Sequence, residues 1–234
     1  WPNEMNYQLS SFWVGKKMTP NTSEYLEDAH LYIALQHTRS RFYEIPDSLL
    51  GHPLLQLNNS YFGSLSFGKR KYFKNSMVYS FGRTEDIPYG FLTSLTLGIN
   101  KSQYATRPYL GFTFSMGHAV IPNKGYLYVS GGWENYFNKN HIEQATLMGA
   151  LKYITPLLKI NGSMLRTFVE VNYTKGINRF KDESLFINEK QNGVVLFFDN
   201  NIKGTEKIVV NIENVTFTPV QFWGFNMALF SFAD

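Results

Sequence analysis

Strict alternation of apolar and polar residues, sustained over long runs, is the feature that most narrows what this chain can become. In "YGFLTSLTLGIN", Phe91, Leu95, Leu97 and Ile99 share one face of an extended chain, and Ser94, Thr96, Gly98 and Asn100 share the other. "RPYLGFTFSMG" sets Leu110, Phe112, Phe114 and Met116 against Tyr109, Gly111, Thr113 and Ser115. In "GYLYVSGGWENYF", Leu127, Val129 and Trp133 oppose Tyr126, Tyr128, Ser130 and Glu134. "MLRTFVEVNY" opposes Leu165, Val169, Val171 and Tyr173 to Arg166, Glu170 and Asn172. A period of two belongs to strands, and runs of about 9–11 residues exceed the ~5–6 of an ordinary globular strand.

The connections carry turn chemistry. "INGS" (Ile160–Ser163) holds the Asn-Gly pair of a two-residue hairpin, and "IPNKG" (Ile121–Gly125) reads as a short Pro/Gly turn. "NYFNKNHIE" and "KGINRFKDESLFINEKQNG" read as long polar loops. Short turns alternating with long loops are a barrel habit. "TSEYLEDAHLYIALQHTRSRF" has two readings: Ser23 and the acids after it can start a helix, whereas period two aligns Leu31, Ile33 and Leu35. The neighbouring pattern selects a strand. In "QNGVVLFFDNNIKGTEKIVVNIENVTFTP", the run Ile208–Ile212 alternates, but Val194–Phe198 is unbroken apolar inside a polar stretch.

Two solvents fit one apolar face. A soluble β-sandwich packs it inside; a transmembrane β-barrel turns it to lipid and keeps the polar face within. Strand length matches the ~9–11 tilted residues that cross a bilayer. The polar faces are rich in Gly, Ser and Tyr and poor in Lys, unlike a wet sandwich surface. Aromatics such as Tyr72, Phe73, Trp133, Tyr136, Phe137, Phe222 and Trp223 gather near strand ends, where interfacial girdles lie. The barrel is therefore the expected fold, with these apolar residues facing lipid and Tyr109, Thr113, Tyr128, Arg166 and Glu170 facing inward.

Composition excludes several classes. Aromatics are 17% of the 234 residues and charged residues only 17%, the reverse of a disordered chain. No stretch approaches the ~20 apolar residues of a membrane-spanning helix. There is no cysteine, hence no disulfide framework or thiolate metal site. A net charge of +4 spread along the chain makes no basic stripe for nucleic acid. The opening Trp-Pro-Asn, without an initiator Met, is expected of a processed or cut piece.

No catalytic, cofactor or metal motif emerges, and no cofactor is expected. His30, His37, His52, His118 and His141 stand in no metal-ligand spacing. "FGSLSFG", around Ser64 and Ser66, lacks the G-x-S-x-G elbow; "SGGWEN" lacks the lysine and helix of a phosphate loop. The sequons at Asn100 and Asn161 are expected by chance. The polar faces do carry charge: Arg166 and Glu170 in one strand, Glu213 in another. Buried charge must be paired to be tolerated, so an internal ladder of charge pairs is expected.

The C-terminal stretch "GTEKIVVNIENVTFTPVQFWGFNMALFSFAD" resembles the BamA/TamA, or surface-antigen, family of bacterial outer-membrane proteins. Gly204 leads into Val209-Val210-Asn211-Ile212-Glu213, like that family's L-N-L-E strand, and Phe232-Ala233-Asp234 supplies its F-x-D. "RTEDIPYGFLTSLTLG" and "RPYLGFTFSMG" are similar to its strands with D-I/V-P-x-G turns. The resemblance implies a sixteen-stranded antiparallel transmembrane β-barrel, usually preceded by POTRA domains, that assembles or translocates other outer-membrane proteins without enzymatic activity. Residues 1–234 would be an incomplete barrel domain, lacking the final strands and any POTRA domain. Its partners would be outer-membrane lipid and unfolded barrel clients. A passive or structural outer-membrane pore, and a soluble β-sandwich that binds carbohydrate, stay open as alternatives.

The family's lumen-folded loop reads G-I-R-G-F, and its arginine pairs with acids on the barrel wall. The matching residues here are Gly193, Val194, Val195, Leu196 and Phe197, with valine in the arginine position and leucine in that of the second glycine. Asp234 matches the partner acid and Glu213 is its neighbour. With the polar-face charges Arg166, Glu170 and Glu213, Asp234 completes the expected lumen charge network, and the resemblance implies a degenerate lock that is absent, replaced, or shifted to Arg179 or Lys203. An ordinary strand over 193–197 is the other reading.

Overall fold

The computed structural model describes residues 6–20, 28–47, 50–78, 81–119, 125–181, 183–188, 193–194, 196–199 and 201–234. Thirteen strands follow one another with no α-helix among the described residues: β1 Asn6–Met18, β2 Ala29–Glu44, β3 Asn58–Ser76, β4 Thr84–Ser102, β5 Thr106–Ala119, β6 Tyr126–Asn138, β7 His141–Ile154, β8 Leu158–Ile160, β9 Ser163–Ile177, β10 Leu185–Phe186, β11 Lys203–Gly204, β12 Glu206–Phe222 and β13 Phe225–Ala233. The expected strand over Leu31–Leu35 is part of β2. Eleven strands form one sheet in the order β1-β2-β3-β4-β5-β6-β7-β9-β12-β13, with β8 beside β9, while β10 and β11 pair apart. Every pair whose register is described is antiparallel. Among the described residues, β1 and β13 each have a single neighbour, so the sheet is open.

Local sequence explains the joints. Asn161 (φ 48°) and Gly162 (φ 84°) make the expected two-residue turn between β8 and β9, since both central residues of such a turn need positive φ. "NYFNKNHIE", expected as a long loop, is instead a tight turn: Lys139 (φ 47°) and Asn140 (φ 67°) alone separate β6 from β7. Lysine takes the left-handed position usually given to Gly or Asn, which hid the turn from sequence. The expected alternation of short and long connections is accordingly not kept. Ile121–Lys124 of the Pro/Gly turn lie outside the described residues. Pro156 separates β7 from β8, because a proline donates no ladder hydrogen bond. The Thr155 N–H still reaches Thr167 O (3.0 Å), and Thr155 Oγ1 accepts from the Thr167 N–H (2.9 Å).

The chain divides into two compact units. In the first (1–68, 93–113, 133–145), Phe62 lies over Gly98, where a Cβ would come within 2.4 Å of its ring, and Tyr109 lies over Gly111 in the same way. Ring-over-glycine packing restores the surface a glycine fails to bury. Ser94 bonds Ser66 (2.6 Å) on the same face. The second unit (69–92, 114–132, 146–234) holds the main apolar cluster: Val78, Ile87, Tyr126, Ile154, Phe168, Val215 and Phe217.

That cluster is built by folding inward. The β3–β4 connection lays Val78 and Phe81 across β9 and β12, with Phe81 edge-on to Phe217 at 5.4 Å. The Arg166 guanidinium of β9 donates to Ser76 O at the end of β3 (3.0 Å). Five steps of the strand order separate β3 from β9, roughly 24 Å in a flat sheet at ~4.8 Å per step. Within this unit the sheet therefore rolls onto its inner face.

Exposure follows the predicted faces in direction. Leu97 is 56% exposed and Phe112 45%, whereas Asn100 is 5% and Arg107 3% exposed. Phe114 and Met116 are also exposed. Two refinements are needed. Leu110, Leu127, Val129, Leu165, Val169 and Val171 are half-buried by neighbouring side chains, and Thr113 is exposed although it was expected inside. The inner face is also less polar than expected, since Phe168, Val215 and Phe217 share it with Arg166.

Candidate functional site

The densest polar arrangement lies in the first unit and centres on Arg107, a residue the sequence did not single out. Its Nη1 donates to Glu143 Oε2 (3.1 Å) and Gln144 Oε1 (2.7 Å), and its Nη2 to Asn100 Oδ1 (3.2 Å). The guanidinium stands 4.6 Å from the Tyr136 ring centroid and 5.5 Å from that of Tyr104. Tyr104 OH (3.0 Å) and Asn138 Nδ2 (2.8 Å) complete the Glu143 carboxylate, while Asn100 Nδ2 donates to Ser60 (2.9 Å). In the β4–β5 connection, burial raises the pKa of the Tyr104 phenol, and the Glu143 carboxylate adds to the rise. The bonds of such a cluster brace one another.

A reading frame hid it. Gln144 takes φ 50° inside β7, a bulge that shifts the side-chain period by one residue. Ile142 before the bulge and Leu147 and Leu151 after it are all exposed, although no single alternation joins them. Arg107, by contrast, heads the polar face of its own strand, and that parity was available.

In the second unit the expected charge network is only partly assembled. Register places Glu170 opposite Asn211. Asn211 Nδ2 in turn donates to Asp234 Oδ1 (2.6 Å), and Lys152 Nζ lies 3.8 Å from Glu170. Lys152, Glu170, Asn211 and Asp234 thus form one polar row. Glu213 faces the same way, beside Phe168 and Phe230 in a groove of about 140 Å³. Its exposed carboxylate has no hydrogen bond or ion pair among the described residues, contrary to the expectation that it is paired. Arg166 is 2% exposed but meets no carboxylate at bonding distance among the described residues; it donates to the carbonyls of Thr155 (3.1 Å) and Ser76.

Of the expected loop motif, Val195 lies outside the described residues. None of Gly193, Val194, Leu196 and Phe197 is in a strand, so the strand reading of this run is corrected. Gly193 N–H bonds Asn188 O (3.1 Å), Val194 N–H bonds Ile187 O (2.9 Å), and Phe197 N–H closes a turn on Val194 O (3.2 Å). A Cβ on Gly193 would lie 2.0 Å from Ile187 O, so only glycine fits there. Leu196 sits at φ 62°, the left-handed backbone that a glycine in the same position would adopt freely. The described bonds of Arg179 run to Glu183 (2.8 Å) and Thr146 (3.1 Å), and Lys203 is exposed in β11.

Among the described residues no three His, Asp or Glu side chains gather as a metal site. His37 stacks on Tyr61 at 4.7 Å, and His30 contacts Thr19 at 3.3 Å. No known protein family, curated protein or solved structure matches the chain.

Proposed function

We propose that the chain is part of a bacterial outer-membrane β-barrel of BamA/TamA type, which assembles or translocates other outer-membrane proteins and carries out no covalent chemistry. The observation that carries this reading is the rolled face of the second unit combined with reversed amphipathy. Arg166, Asn100 and Arg107 are buried while Leu97, Phe112, Ile208 and Val210 are bare, as lipid outside and a polar interior require. A sandwich would instead press its phenylalanines against a second large sheet. The C-terminal features support the family assignment: β12 and β13 form a hairpin that brings Asp234 to Asn211, and Leu196 keeps a glycine-like tip. A full barrel of that type has sixteen strands, so this chain contributes most of one.

A passive pore fits less well. Val78, Phe81, Phe168, Val215 and Phe217 fill part of the inner face, where a pore keeps water. The two are separated by reconstitution into lipid vesicles with a urea-unfolded eight-stranded barrel as client. Faster client folding than in empty vesicles is expected. Unchanged folding accompanied by ion conductance would establish the pore. Solubility without detergent, and gel migration indifferent to heating, would remove both.

A further inference from the structure

We propose that the first unit carries a binding groove for a neutral saccharide on its inner face, formed by Trp13, Gln36, Phe62, Ser64, Thr96 and Tyr109. The groove holds about 440 Å³, within the ~300–1,000 Å³ of small-ligand sites. Its walls are fixed. Phe62 is seated over Gly98 and meets Tyr109 edge-on at 5.1 Å; Tyr109 is seated over Gly111 and its hydroxyl donates to Glu134 (3.1 Å). Gln36 stands opposite Trp13 in the β1–β2 register, and its Nε2 is held by Ser11 (3.2 Å) and Thr38 (3.4 Å).

What the groove leaves unused defines its ligand. The Ser64 and Thr96 hydroxyls, the Trp13 indole N–H and Gln36 Oε1 have no hydrogen-bond partner among the described residues, and Trp13 is 70% exposed. A sugar ring presents an apolar C–H face to an aromatic ring and hydroxyls to donors and acceptors around it. Lipid tails would leave those groups unsatisfied at a cost. No charged residue lines the groove, so a phosphate or carboxylate ligand would find no cation.

The assignment rests on the first unit alone and not on the membrane reading. The test is calorimetric titration of the chain, in a sugar-free amine-oxide detergent, with maltohexaose, cellohexaose and chitohexaose. At least one should bind. Trp13→Ala, and separately Ser64→Ala with Thr96→Val, should each weaken binding about tenfold or more, whereas Trp133→Phe should leave it unchanged. Thr96→Val preserves shape, so the second variant keeps the test valid if Trp13→Ala fails to fold. The proposal is overturned if none of the three binds at millimolar concentration, if both groove variants bind like the parent chain, or if an oligogalacturonate binds more tightly than all three.

Discussion

Arg107 and Arg166 are both buried arginines, yet their guanidiniums are held by different partners, and the difference predicts different sensitivities. Arg107 meets a carboxylate, two amide oxygens and two aromatic faces, so removing it takes the cation from the partly buried Glu143. Arg107→Ala should destabilise by about 3–5 kcal/mol, as when one partner of a buried pair is lost. Arg107→Lys should recover little, because an ammonium cannot fork between Glu143, Gln144 and Asn100. Urea unfolding in detergent, followed by tryptophan fluorescence, measures both. Leu196 is the opposite case, a residue in a conformation it resists. A left-handed leucine costs roughly 1–2 kcal/mol and glycine's added freedom in the unfolded chain returns about 0.4–1. Leu196→Gly should therefore stabilise by up to about 1.5 kcal/mol, and a lower urea midpoint would contradict the assigned turn. Sequence exposed Leu196 only through the resemblance, and no local signal marked its backbone.

At the scale of elements, alternation was enough to find β4, β5, β6, β9 and β12 and to assign most of their faces. It failed where an extra residue breaks the count, as at Gln144, and where an unexpected residue turns, as at Lys139. It also could not show that the β3–β4 connection folds inward, because Val78 and Phe81 find their partners on strands remote in sequence. The face assignment itself is open to a single-residue test. Val169 of β9 stands opposite Ile212 on the apolar side. Val169→Arg should cost about 2–4 kcal/mol if that side lies near the bilayer midplane. The same change on a water-facing strand should shift stability by less than ~0.5 kcal/mol, so refolding titrations into lipid vesicles distinguish the two surroundings.

For the whole molecule, strand order followed the sequence closely, neighbour beside neighbour, while the inward roll of the second unit depended on contacts that no linear pattern encodes. Among the described residues the sheet has two outer strands, and they are not equivalent. β1 ends in Lys16 and Lys17, whereas β13, "FNMALFSFA", has no charged side chain. Lysines on an edge discourage a newcomer's backbone, and a bare apolar edge invites one. A molecule with one guarded rim and one inviting rim has a preferred stoichiometry. Growth by joining unlike rims would run on into ribbons, but joining β13 to another β13 uses up the inviting rim and closes with twofold symmetry. Outside a membrane the chain should therefore gather in pairs. Sedimentation should detect dimers that Leu229→Lys converts to monomers, and a ladder of larger species would mean that β1 takes part as well.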